Sequence, residues 1–198
     1  MKYLLFYIIS LLSLTACIRE DLPAGSFALE EGGVLPEFSI SNPYGTVSNK
    51  DLENKSTLII FFSTTCSDCR KAFPDISTLY DVYKDDPSVC VLLIARDETE
   101  EQVTAYFREH QYDMKFFADP DRKVYSLFAD STIPRVFLAG KDGTIILTQT
   151  EKVDTEEIKA AISKQRAQTS FVTCALLSHP RMMLPLQFTG PLFFAPAG

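Results

Sequence analysis

At 198 residues and 46% apolar side chains, the chain is long enough to bury one sizeable core. Its 26 acidic and 19 basic residues leave a net charge of -7, the wrong sign for a nucleic-acid surface, which needs a concentrated positive field. Two histidines and a single close cysteine pair also speak against a structural metal site.

The N-terminus reads as a processing signal. Lys2 supplies the positive start, Leu4 to Leu12 the apolar centre, and Leu14-Thr15-Ala16-Cys17 the small residues that close it. The stretch is too short for a spanning helix and argues for export. Leu-Thr-Ala-Cys resembles the bacterial lipoprotein signal, which implies that residues 1–16 are removed and Cys17 is lipidated. By the same resemblance, Ile18 after the cysteine points to retention at the outer membrane of a Gram-negative cell, facing the periplasm or the surface. Residues 17–35, with Pro23, Gly25, Gly32 and Gly33, read as a membrane tether.

Folded elements are expected from residue 36 to residue 166. Phe38 and Ile40 flank Ser39 in a short strand, and Asn42-Pro43-Tyr44-Gly45 turns the chain toward Thr46-Val47. Leu58 to Ser63 is apolar without alternation, as a central strand covered on both faces should be. Helical spacing follows at Phe73, Ile76, Leu79 or Tyr80, and Tyr83, with Pro74 inside the helix and predicted to bend it. Val89 to Ala95 is a second buried strand, in which Cys90 reads as a packed core thiol. Thr99 and Gln102 form a capping box for a helix lined by Val103, Tyr106 and Phe107, with His110 as its C-terminal cap. A short helix around Val124 to Phe128 precedes a hairpin, Arg135 to Leu138 and Thr144 to Leu147, joined through Asp142-Gly143. A last helix is predicted from Thr155, as its cap, to Arg166, with Ile158 and Ile162 as its ridge. This order calls for an α/β fold with a central mixed β-sheet flanked by helices on both faces. Residues 167–198 form an apolar tail broken by Pro180, Pro185, Pro191 and Pro196, with Cys174 within it.

Cys66-Ser67-Asp68-Cys69 lies at the strand-to-helix junction. Two thiols on the first turn of a helix can work as a pair, one attacking a disulfide and the other resolving the adduct. Nearby helix N–H groups favour a thiolate on the first, so Cys66 is the expected nucleophile and Cys69 the resolving thiol. Asp68 opposes that charge while Arg70 and Lys71 support it.

The segment from Thr65 through Pro74, with Pro36 to Ile40 ahead of it and Ile133-Pro134 before the hairpin, resembles the thioredoxin-like fold. The likeness is to membrane-anchored thiol-disulfide oxidoreductases of the TlpA and ResA type. It implies that Pro134 is cis and lies against the dithiol, with Ile133, Pro134 and Arg135 along the substrate groove. Thr65, Ser67 and Asp68 are then the residues that tune the pair. The chain departs from the family at Thr65, where a tryptophan is usual, at Ala72, where some members carry an acid, and at Ile60, where thioredoxin has a buried aspartate. Proton transfer would then fall to water or Asp68. The implied activity is exchange of protein disulfides in the cell envelope, as reductase or isomerase, without a bound cofactor and kept reduced by a membrane electron donor. The alternative is a binding or scaffold module whose Cys66–Cys69 disulfide is structural.

Overall fold

A computed structural model describes residues 27–177, with side chains through residue 167. The signal, Cys17, the Cys174 side chain and the proline-containing end at 178–198 lie outside the described residues.

A small antiparallel hairpin comes first, β1 (Ser39–Asn42) with β2 (Gly45–Ser48), followed by the single turn α1 (Asn49–Leu52). The main sheet is built from β3 (Ser56–Phe62), β4 (Val89–Arg96), β5 (Phe117–Asp119), β6 (Arg135–Ala139) and β7 (Ile145–Thr150), in the order β5-β4-β3-β6-β7. Strand β3 is central, parallel to β4 from Ser56↔Val89 to Phe62↔Ala95 and antiparallel to β6 from Thr57↔Ala139 to Phe61↔Arg135. The helices are α2 (Ser67–Tyr83), α3 (Glu100–Glu109), α4 (Tyr125–Phe128) and α5 (Thr155–Leu177).

Every residue of β3 is buried, and its two phenylalanines show why. Successive strand side chains point to opposite faces. Phe61 meets Tyr125, Phe128 and Phe137 at ring-centroid distances of 5.1, 5.2 and 6.2 Å. Phe62 meets Phe73 of α2 at 5.3 Å and Phe107 of α3 at 5.9 Å. Two aromatic clusters therefore sandwich one strand, and an alternating polar pattern there would have left one of them without a partner.

Helix α2 runs without a break through Pro74, which is exposed. Helix α3 has the predicted cap, with Gln102 N donating to Thr99 Oγ1 and Thr99 N donating back to Gln102 Oε1. Helix α5 differs from expectation at both ends. Its N-terminal acceptor is Asp154, whose Oδ1 receives Glu157 N at 3.1 Å, and not Thr155. Buried Gln149 holds Asp154 from both sides, accepting from its N–H and donating to its carbonyl, so a tertiary contact selects the cap. The helix continues to Leu177, eleven residues past the expected end, because nothing from Ala167 to Leu177 is glycine or proline. Among the described residues, no helix is long and apolar enough to cross a membrane.

The segment expected to be tether is partly bound to the fold. Leu29 N donates to Phe128 O, Gly32 N to Ile145 O and Leu35 N to Gly143 O, with Ile145 N returning a bond to Gly33 O. Backbone pairing with the start of the edge strand β7 ties down residues 32–35, and Leu29 is tied to α4, although composition alone marks this stretch as a linker.

Candidate active site

The site forms where β3 and β4 end. After Phe62 the chain makes a tight polar turn in which Cys66 N donates to Ser63 O at 3.3 Å and the Ser63 and Thr65 hydroxyls share a 2.8 Å bond. Cys66 then caps α2 in an extended conformation, and its carbonyl accepts the first helical bond, from Arg70 N at 3.0 Å. The next helical turn carries Cys69 inward, where it is fully buried, while Cys66 stays half-buried.

Both cysteines are thiols in this structure. Burial pushes the Cys69 thiol up to about 12; the Cys66 sulfur adds to that rise, while the Ser63 backbone and the Arg96 charge act against it. The pair is asymmetric: one cysteine is half-buried, and its fully buried neighbour is favoured as the neutral thiol.

Across from the thiols runs the loop that leads into β6. The Ile133–Pro134 bond is cis, as the family resemblance implies, and both residues are buried. The Cys66 thiol donates to Ile133 O at 3.6 Å, which brings Cys66, Ile133 and Pro134 together from positions 67 residues apart. Arg135 begins β6 half-buried, its guanidinium carbon 6.0 Å from the Phe137 ring centroid, and its Nε is buried with no hydrogen-bond partner among the described residues. Thr65, Ser67 and Asp68 are exposed around the turn. Asp68 is paired to Lys71 at 2.8 Å, so its charge is matched on its own helix face. Arg70 donates from Nε to Thr64 O at 2.5 Å, bracing the turn from the helix side.

The carboxylate that reaches the turn from the sheet side is Glu98, a residue the sequence reading does not single out. It is 3% exposed; Thr64 N donates to its Oε2 at 2.7 Å and the Thr64 hydroxyl donates to its Oε1. A buried carboxylate is tolerated only when hydrogen-bonded, and here both its partners belong to the residue two before Cys66. The one available sequence signal was the run Arg96-Asp97-Glu98 directly after seven mostly apolar strand residues, a sudden charge cluster where a strand leaves the core. Tyr125 was also missed. Its hydroxyl donates to Ser131 O and, at 3.0 Å, to Thr132 O, fixing the approach to Ile133 from below.

A half-exposed thiol at a helix start, a buried partner thiol and a facing backbone carbonyl can carry out two-step sulfur exchange. The family model described as Redoxin matches residues 30–163 of the chain. The thiol-disulfide oxidoreductase ResA of Bacillus cereus is 32% identical over 163 residues, covering 79% of this chain and 90% of that protein. Among solved structures, a candidate protein disulfide isomerase from Bacteroides thetaiotaomicron superposes with a TM-score of 0.62 at 25% identity, covering 71% of this chain and 89% of that one. The thioredoxin domain of a thiol-disulfide oxidoreductase from Bacteroides vulgatus shares the fold, with a TM-score of 0.56 at 22% identity over 68% of this chain and 99% of that one.

Proposed function

The chain belongs to the Redoxin family as a ResA-type, thioredoxin-like protein, and we propose that Cys66 and Cys69 carry its chemistry as nucleophile and resolving thiol. It is a thiol-disulfide oxidoreductase whose substrates are protein thiols or disulfides. The observation that carries the residue assignment is the asymmetry of the pair: Cys66 half-exposed and 3.6 Å from Ile133 O, Cys69 fully buried with its thiol pushed up to about 12.

In the reducing direction, Cys66 Sγ attacks a client disulfide, one client sulfur leaves as a thiol, and the other stays bonded to Cys66. Cys69 then attacks Cys66 Sγ, the Cys66–Cys69 disulfide forms, and the second client sulfur departs. Two electrons pass from the dithiol to the client. An extended client segment would lie along Ile133, Pro134 and Arg135, where the thiol–carbonyl contact marks the line of approach. Thr65, Ser67 and Asp68 form the rim of that approach. No bound cofactor is needed, because the electrons are held in sulfur bonds.

Location and supply are part of the same reading. Leu14-Thr15-Ala16-Cys17 supports a lipid anchor at Cys17, and hence work in the bacterial cell envelope, at the outer membrane, with a membrane donor restoring the dithiol. Cys17→Ala should move the protein from the membrane to the soluble fraction on cell fractionation.

The deciding measurement is exchange with a disulfide-bonded peptide. Cys66→Ser is expected to fall to the uncatalysed rate, and Cys69→Ala to accumulate a mixed disulfide at Cys66 that identifies the client by mass. A Cys66→Ser protein that exchanges at the wild-type rate removes the assignment.

A further inference from the structure

Strand β4 pairs with β3 along nearly its whole length, from Ser56↔Val89 to Phe62↔Ala95. On its other side, among the described residues, β5 covers only Ile94, Ala95 and Arg96, so residues 89–93 form an open edge. Two bonds fix which backbone groups look outward. Ser56 N donates to Ser88 O on the β3 side, and Asp97 N donates to Asp119 O on the β5 side. Successive strand residues turn their N–H and C=O groups alternately to the two sides, so Cys90 and Leu92 face β3 while Val89, Val91 and Leu93 face away from it. Val89 N donates to Asp86 O at 3.1 Å, but the Val91 N–H and C=O and the Leu93 N–H have no partner among the described residues.

A groove of 520 Å³ runs along this edge. Side chains from both faces of β4 line it, Cys90 and Leu92 from one and Val89 and Val91 from the other, with Tyr80 of α2 and Tyr44 of the β1–β2 hairpin. A depression on one face of a sheet would show a single set, whereas a slot at the sheet's edge shows both. The chain entering β5 does not close it, because Lys115 N is taken by the Tyr80 hydroxyl at 3.1 Å and Phe116 O by Asn42 Nδ2 at 2.6 Å. Lys84 and Lys115 in the lining are matched by Asp85 and Asp113, which leaves the slot without net charge.

An unpaired edge takes up an extended segment by backbone pairing. We propose that residues 186–190 of this chain, Leu-Gln-Phe-Thr-Gly, occupy the slot as an added strand paired with Val91 and Leu93. The length fits, since these five residues lie between Pro185 and Pro191, and neither proline belongs in the middle of a ladder. Leu186 and Phe188 alternate with Gln187 and Thr189, the period of a strand. Residues 182–198 contain no charged side chain, which suits a slot without net charge. The reach is also sufficient. Arg166 of α5 pairs with Asp86, next to Asp85 of the slot lining. The helix carries the chain about 16 Å farther, to Leu177, and the nine residues from there to Leu186 span about 30 Å when extended. A strand in the slot closes the edge against pairing with other chains and covers the Cys90 thiol that lines it.

The test is amide hydrogen exchange of the full chain, read residue by residue and corrected for intrinsic rates. With the slot filled, the Val91 amide is expected to exchange within about tenfold of the Leu92 amide, which points to β3. Leu186→Asp together with Phe188→Asp puts two carboxylates on the segment, and Val91 exchange is expected to rise at least about tenfold while Leu92 stays unchanged. Iodoacetamide labelling of Cys90, followed by peptide mass, is expected to speed up in parallel. A Val91 amide that exchanges freely beside a protected Leu92 in the unaltered chain overturns the proposal, and that comparison needs no variant. Val91 protection that survives the double substitution overturns it as well. If that protection fades on dilution, a second copy of the chain fills the slot, and if it persists, the edge is closed without residues 186–190.

Discussion

The two ends of the β3–β4 pair each present a cysteine, and they are built in opposite ways. At the amino end Cys90 lies within β4, in register with Thr57 and packed against the core, its thiol pushed up by burial. It lines a surface groove of 520 Å³ with Tyr80 and Phe117, and the neighbouring Thr57 hydroxyl is buried without a hydrogen-bond partner among the described residues. At the carboxyl end Cys66 and Cys69 stand past the last ladder pair, on a turn and a helix start, beneath a loop from another part of the chain. A strand interior holds a thiol in the sheet with no mobile neighbour. The end of a parallel strand is where the backbone leaves the sheet, so N–H groups, carbonyls and charges converge there. Position relative to the strand end, more than burial, separates the proposed redox pair from the core thiol.

The contrast can be broken or sharpened by measurement. The largest effect is expected from Glu98→Ala, which leaves the Thr64 N–H and hydroxyl buried without their acceptor. It should cost about 1–3 kcal/mol in urea unfolding and slow exchange as well, because the turn carrying Cys66 loses its latch to the sheet. Stability unchanged in Glu98→Ala would mean that the carboxyl end is held by the helix alone.

A second, smaller effect concerns pH. The Cys69 thiol stands at about 12 in the fold against an ordinary 9.0, so the folded protein keeps a proton that the unfolded chain releases. Its contribution to stability is complete below pH 9 and is lost as pH rises toward 12. The urea midpoint of the reduced protein should therefore fall on the alkaline side more steeply than that of Cys69→Ala, and parallel curves would contradict the burial of this sulfur. The smallest effect is expected at the other end of the strands. Cys90→Ala should exchange disulfides at the wild-type rate and lose about 1 kcal/mol of stability or less. Impaired exchange in that variant would join the two ends into one redox system.

Much of this was legible in order along the chain. The unbroken apolar runs before Cys66 and around Cys90, the Thr99–Gln102 cap and the Asp142-Gly143 turn each depend on residues within a few positions of one another, and each appears where it was expected. The cysteine spacing likewise contained its own geometry, since a helical turn brings such a pair together whatever surrounds it. The end of α5 is not legible in the same way: the apolar change after Arg166 reads as a separate tail, yet residues 167–177 contain no glycine or proline and the helix runs on to Leu177.

Sequence by itself thus determined the strands, the helices and the dithiol, because hydrophobic period and local capping act over one or two turns of chain. Only the tertiary structure decided which groups brace the turn and the loop on either side of the sulfurs. Glu98 reaches a threonine 34 residues away, Arg96 a carbonyl 35 residues away and Ile133 a thiol 67 residues away. A charged side chain beyond a strand reads as solvated until the fold removes its water. Its partners are then set by the packing of the strand ends and by the energetic cost of leaving a buried charge without a hydrogen bond.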